Sequence, residues 1–158
     1  MQGSMSPVET TTWLVDWVLS LPLILLTVIV HVFGLAFIND AAILVLKDIP
    51  LRRRFMFKFA VVMTIGVLLM IVLHGLEAVA WGLTYKMLGL FTNFRSAMLY
   101  SLGAMTGLGA GSVSLPSHWS MMGVLQSLVG LLLFGLTTAF MFAMVQAVWP
   151  VRTGKQMK

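Results

Sequence analysis

The chain carries three long stretches of apolar side chains that are separated by short polar segments. The first runs from Trp17 to Leu46, the second from Phe55 to Tyr85, and the third ends near Trp149. A helix needs about 20 apolar residues to cross the hydrocarbon core of a bilayer, and each stretch exceeds that length. The pattern predicts an all-α membrane protein with three transmembrane helices.

The third stretch is interrupted by glycine, serine and proline. Residues 96–151 contain no Asp, Glu, Lys or Arg, but residues 107–116 are too rich in glycine and proline to form a helix. We therefore divide the stretch into a short helix at 94–105, a glycine-rich strip at 106–112 and a long helix at 118–149. A short apolar helix followed by irregular backbone is typical of a re-entrant element, which is tolerated at membrane depth only inside protein or beside water.

Composition supports a lipid environment. Hydrophobic residues make up 59% of the chain and charged residues only 9%, whereas soluble domains carry about 25% charged residues. There is no cysteine, which excludes disulfides and thiolate metal sites. We interpret residues 1–4, which precede a second methionine at Met5, as a cloning remnant.

The charged residues predict orientation. The net charge is +5, and basic residues cluster at Arg52–Arg54 between the first two spans and at Arg152, Lys155 and Lys158 after the third. Basic clusters beside apolar spans are typical of cytoplasmic loops that contact anionic headgroups. We expect an outside N-terminus, a cytoplasmic C-terminus, membrane lipids as partners and no nucleic-acid binding.

The order of elements resembles the pore module of potassium channels, in which an outer helix, a pore helix, a filter strip and an inner helix follow one another. The family filter reads Thr-Val-Gly-Tyr-Gly and is usually followed by Asp. Gly109 and Gly111 take the places of its two glycines, and Thr106 matches a threonine that often precedes it. The threonine, valine, tyrosine and aspartate positions are taken by Gly107, Leu108, Ala110 and Ser112.

The resemblance extends to the flanking helices. The segment His74-Gly75-Leu76-Glu77 and the segment Trp81–Tyr85 resemble the outer helix of small bacterial members with three spans, and Gly123–Gln146 resembles their inner helix. The resemblance implies a pore module at 55–149 that follows an extra N-terminal helix at 17–46. It also implies a homotetramer, because four chains around one axis complete the pore, and a bacterial inner (plasma) membrane.

Glycine in the strip suits ion conduction. Backbone carbonyls replace the water shell of a potassium ion, and they point the same way only where alternate residues adopt left-handed geometry. Gly107, Gly109 and Gly111 provide that alternation. The same spacing, together with Gly103, also fits close packing of helices, which is the alternative interpretation.

Departures from the family filter predict weakened selectivity. Gly107 lacks the threonine hydroxyl, Ala110 lacks the tyrosine ring that braces the filter, and Ser112 lacks the outer carboxylate. We expect conduction of monovalent cations such as K+ or Na+ with weakened potassium selectivity. The alternative is an anion-permeable or non-conducting relative that acts as a structural membrane protein. No nucleophile–base pair or cofactor motif is present, so we expect neither enzymatic activity nor a cofactor.

Three ionisable residues lie inside apolar stretches. His74 and Glu77 share one helix face, and His31 lies at a similar depth on the first span. Hydrogen bonding between spans is the preferred interpretation; pH-sensitive gating and metal binding are the alternatives, although two ligands from one helix are too few for a metal site. A membrane enzyme or metal transporter that also uses Asp40 ranks last.

The long third helix contains two further candidate features. Gly130 and Gly135 interrupt it, and each is interpreted either as a hinge that opens the pore or as a point of close packing. Thr137 and Thr138 either face the inner cavity or bond to carbonyls of their own helix.

Overall fold

The computed structural model describes residues 7–46, 55–109 and 113–153, and within these ranges it contains helices and no strand. The helices are α1 (Pro7–Leu46), α2 (Phe55–Met87), α3 (Phe94–Thr106), a short 3-10 helix (Ser117–Trp119) and α4 (Ser120–Thr153). Several residues discussed above lie outside the described ranges: 1–4, Arg52–Arg54, Ala110–Ser112, Lys155 and Lys158.

Three of these helices are long and apolar enough to cross a membrane. The candidate spans are Trp13–Val45, Met56–Met87 and Ser117–Gln146, and no more than 22% of the most apolar part of any span is buried inside the chain. The remaining apolar side chains face outward, as lipid or neighbouring chains require. The prediction of three helices long and apolar enough to cross a membrane is confirmed. Helix α1 begins at Pro7, well before the predicted Trp17, since its polar first turns continue the helix beyond the apolar stretch.

The long helices alternate in direction. His31 of α1 meets Glu77 of α2, whereas Leu35 and Ile38 of α1 lie beside Met70, so these two helices are antiparallel. Helices α1 and α4 are parallel, because Asp16, early in α1, lies near Met122, early in α4, and His31 lies beside Thr137. The first turns of α1 therefore lie beside the beginning of α4.

Asp16 links these two helices directly. Its carboxylate is buried near the backbone of Met122, in the first turn of α4, and its Oδ1 atom has no hydrogen-bond partner among the described residues. The first turn of a helix has N–H groups without partners in the helix, and the helix dipole favours a negative group there. An acidic side chain of α1 therefore lies at the positive end of the α4 dipole.

The short helix α3 lies between α2 and α4. It is parallel to α4, since Ala97 packs against Met122 near its start and Met105 lies against Gly130 near its end. It is antiparallel to α2, since its first turns pack against Trp81 and Ser101 contacts the more distant Ala78. Helix α3 therefore starts level with the end of α2 and runs alongside the first half of α4.

Both ends of α3 are capped. At its start the Asn93 side chain accepts a hydrogen bond of 2.8 Å from the Ser96 N–H. At its end Gly107 adopts a left-handed conformation with φ of 71°, and its N–H donates to the Ala104 carbonyl at 3.0 Å. The helix ends at Thr106, one residue after the predicted end.

Gly130 is required by the approach of α3 to α4. A Cβ atom at this position would lie 2.7 Å from the Cα of Met105 and would overlap its carbonyl oxygen. Backbone atoms cannot move aside as a flexible side chain can. At Gly135, by contrast, nothing lies within 4 Å of the added Cβ.

Gly130 and Gly135 therefore provide a matched pair of positions for substitution. We expect Gly130→Ala to lower the free energy of unfolding by about 1–3 kcal/mol through overpacking. Gly135→Ala should leave it unchanged or raise it by up to about 1 kcal/mol through the better helix propensity of alanine. Thermal unfolding of both variants in detergent measures the difference, and equal melting temperatures would contradict the packing of α3 on α4.

Candidate functional site

A buried hydrogen-bond network fixes α3 between its neighbours. The Gln126 amide nitrogen of α4 donates to the Ser101 hydroxyl at 2.7 Å and to the Ser101 carbonyl at 3.2 Å. The Gln126 amide oxygen accepts from the Tyr85 hydroxyl of α2 at 2.7 Å. The Ser101 hydroxyl in turn donates to the Ala78 carbonyl of α2 at 2.7 Å. Three helices are therefore joined at one level by four bonds among buried polar groups.

Sequence reasoning did not single out this network. Tyr85, Ser101 and Gln126 are each fully buried, with 0% of the residue exposed. A signal was available, since a glutamine within an apolar span is costly unless it has partners. Their mutual contact was not predictable, because it depends on how three helices are rotated and shifted against one another.

The strip that follows α3 begins with the predicted left-handed glycines. Gly107 and Gly109 have φ of 71° and 74°, and no residue other than glycine has positive φ in the described part of the chain. The N–H of Gly109 donates to the Gly103 carbonyl at 3.0 Å. The Leu108 side chain between them is 88% exposed on the isolated chain.

Of the remaining strip residues, the structure describes Thr106 but not the last three. The Thr106 hydroxyl donates to the Leu102 carbonyl at 3.0 Å and so bonds to its own helix. Ala110, Gly111 and Ser112, which take the tyrosine, glycine and aspartate positions in the resemblance, lie outside the described residues.

A cavity lies between the strip and the helices behind it. Its volume is about 330 Å³, and its lining includes Gly109 and Val113 from both sides of the undescribed segment, Tyr100 of α3 and Ser127 of α4. This part of the strip is therefore not tightly packed against α3 and α4 in the isolated chain.

A second polar group joins α1 to α2. The Nδ1 atom of His31 lies 2.9 Å from one carboxylate oxygen of Glu77, and the Nδ1 atom of His74 lies 3.2 Å from the other. The structure thus brings together the three ionisable residues that the sequence placed at a similar depth. Asp40 lies nine residues beyond His31 on α1 and is exposed, so it is not part of this group.

The Thr137 hydroxyl of α4 completes the group. It lies 3.1 Å from Nε2 of His31 and 3.2 Å from Nε2 of His74. This hydroxyl therefore contacts both imidazoles. The sequence had suggested that it faces the inner cavity or bonds to its own helix, and neither interpretation included this contact. The neighbouring Thr138 hydroxyl donates to the Phe134 carbonyl of its own helix at 2.9 Å, as the second interpretation expected.

No family model, curated protein or solved structure matches the chain. The class that the fold defines is accordingly a membrane protein with three apolar helices and a short fourth helix packed between two of them. The features that bear on a more specific function are the strip, the network around Gln126 and the group around Glu77.

The network around Gln126 is open to a direct test. We expect Gln126→Leu to lower the free energy of unfolding by about 1–3 kcal/mol, because the Tyr85 hydroxyl loses its acceptor and the Ser101 carbonyl its donor. The control is Ser127→Ala, whose hydroxyl bonds to the Gly123 carbonyl of its own helix and should change stability by less than about 0.5 kcal/mol. Chemical or thermal unfolding in detergent compares the two, and an equal effect would argue against the network.

Proposed function

We propose that the protein is a tetrameric ion channel that conducts monovalent cations such as K+ or Na+ through the strip Thr106–Ser112. The observation that carries the proposal is the depth of α3. This helix ends beside Gly130, about ten residues into α4, or about 15 Å at 1.5 Å per residue. That depth is half of a hydrocarbon core of about 30 Å, which supports a re-entrant pore helix.

The chain between α3 and α4 is long enough to return to the membrane surface. Ten residues, 107–116, could span up to about 33–36 Å if fully extended, which exceeds the roughly 15 Å that they must cover. A strip that starts at mid-depth and leads back to the start of α4 follows the course of a filter. Irregular backbone at this depth requires protein or water on all sides, and neighbouring copies around a pore would provide both.

The end of α3 favours a cation. The C-terminal end of a helix carries a partial negative charge, and in the proposed pore this end would point toward the ion path. Left-handed geometry at Gly107 and Gly109 supports the alternation that aligned carbonyls need. Residues 106–109 are exposed on the single chain, so four copies could bring their strips together around one axis.

Weak selectivity is the expected property of this filter. A cavity of about 330 Å³ borders Gly109 and Val113, and this chain has Ala110 where the resemblance has a bracing tyrosine. A strip without a brace is softer, and stiffness is one of the two debated sources of potassium selectivity. We therefore propose poor discrimination between K+ and Na+.

The orientation follows from charge and helix direction. Because α1 and α4 are parallel, the N-terminus and the C-terminus lie at opposite ends of the helices. The basic clusters around Arg52–Arg54 and Arg152 belong at the cytoplasmic end. We propose a bacterial inner membrane with the N-terminus outside.

A second candidate is an anion-permeable or non-conducting relative of the channel fold. It is favoured by the absence of any Asp or Glu from Ala78 to Lys158, so no carboxylate attracts cations to the pore mouth. The exposed Leu108 side chain at the strip adds an apolar surface that hinders hydration.

The reversal potential of the purified protein in a planar bilayer tests these candidates. With potassium on one side, sodium on the other and a large impermeant anion in place of chloride, we expect a current that reverses near zero. Reversal near the potassium equilibrium potential would contradict the weakened filter. Current that needs chloride would favour the anion pore, and silence in both conditions would favour the non-conducting relative.

Two glycine variants test whether the strip carries the current. Gly109 and Gly89 both have positive φ, of 74° and 72°, and both have open space around an added Cβ. Alanine at either position strains the backbone by about 1–2 kcal/mol. We expect Gly109→Ala to reduce single-channel conductance at least tenfold and Gly89→Ala, in the loop after α2, to leave it within twofold. Equal conductance of the two variants would place the ion path elsewhere.

A further inference from the structure

The buried group of His31, His74 and Glu77 has the composition of a metal site. Each residue offers one ligand atom, and these atoms lie within 4.8 Å of one another. The side chains of His31 and Glu77 are completely buried, and that of His74 is 10% exposed. Two imidazoles and a carboxylate form a common ligand set for zinc and related divalent metals.

While Glu77 is ionised, two neutral imidazoles leave at least one nitrogen of this group without a hydrogen-bond donor. If both neutral imidazoles carry their proton on Nδ1, both protons lie on the side of Glu77, but two bare Nε2 atoms then face the single O–H of Thr137. If both carry it on Nε2, the Thr137 oxygen accepts both, but two bare Nδ1 atoms then face the carboxylate. If His31 carries it on Nδ1 and His74 on Nε2, Thr137 satisfies both Nε2 atoms and only Nδ1 of His74 is left bare, opposite the carboxylate. One further positive species, a proton or a metal ion, would complete the group.

Two atoms of the group also lack a partner. Nδ1 of His74 and the second carboxylate oxygen of Glu77 are buried without a hydrogen bond among the described residues, although they are 3.2 Å apart. Their alignment is too poor for an N–H···O bond. A metal ion needs no such alignment, because it attracts the lone pairs of both atoms at once.

We propose that His31, His74 and Glu77 bind a divalent metal ion of the zinc type through both Nδ1 atoms and the carboxylate. Ligand atoms 2.0–2.1 Å from a tetrahedral ion are about 3.3 Å apart. The two Nδ1 atoms lie 2.9 Å and 3.2 Å from different oxygens of the Glu77 carboxylate, and the three ligand atoms lie within 4.8 Å of one another, so they would draw together around the ion. The second nitrogen of each imidazole then donates to the Thr137 hydroxyl, which has two lone pairs to accept them. Such outer partners orient metal-binding histidines in known sites.

The bound ion would fasten α1 to the other spans. His31 comes from α1, His74 and Glu77 come from α2, and Thr137 comes from α4. A cavity of about 200 Å³ between α1 and α2 borders Glu77, and its other walls are mostly apolar. The site does not depend on whether the strip conducts.

Metal content of the purified full chain tests the proposal. The protein is prepared without a polyhistidine tag, stripped with a chelator, exposed to zinc, desalted and analysed by mass spectrometry for bound metal. We expect one zinc per chain for the wild type and at least a tenfold loss of affinity for His31→Ala and Glu77→Gln. His118→Ala removes the remaining histidine, which is exposed beside Trp119, and should retain the metal.

A second pair of variants leaves the ligands intact. Thr137→Val should weaken zinc binding about 10–100-fold by removing the partner of both Nε2 atoms. Thr138→Val should have no effect, since that hydroxyl bonds only to its own helix. X-ray absorption of the zinc-loaded wild type should report two imidazole nitrogens at about 2.0–2.1 Å.

Three results would overturn the proposal. Folded wild type that retains no zinc would mean that a shared proton completes the group. If His31→Ala and His118→Ala retained zinc equally, the zinc would be bound at another site. An absorption spectrum without imidazole ligands would exclude the site even if the ligand variants failed to fold.

Discussion

The amide of Gln126 is the contact on which the arrangement of the other elements depends. It lies inside an apolar helix, where an unpaired amide costs several kcal/mol, and Ser101 and Tyr85 are the groups that pair it. Those bonds determine how deep α3 lies between α2 and α4. The depth of α3 in turn determines where Gly107 ends the helix and where the strip begins.

Helix α4 carries a second polar contact on nearly the same face. Thr137 follows Gln126 by eleven residues, or about three turns, and meets His31 and His74. The partner residues on α2 lie on one face as well, with Glu77 about two turns before Tyr85. Two levels of buried polar groups therefore set the register of spans that are otherwise covered with apolar side chains.

Three glycines act in two different ways, and both depend on the absence of a Cβ atom. Gly130 allows the backbone of α3 to approach α4, since a methyl group there would overlap Met105. Gly107 ends α3 in a conformation that other residues adopt at a cost, and Gly109 repeats it two residues later. The cap of α3 is thus also the first left-handed position of the proposed filter, so helix termination and the filter interpretation are compatible.

The sequence by itself determined the number of spans, the break after α3 and the end of α3 to within one residue. These features depend on apolar length and on the local effects of Gly107 and Pro116, which act regardless of the rest of the chain. Only the tertiary structure decided that Ser101 meets Gln126 and that Thr137 meets His31, which is 106 residues away. The physical reason is that helices apolar on every side have no stripe of polar residues to show which face is buried.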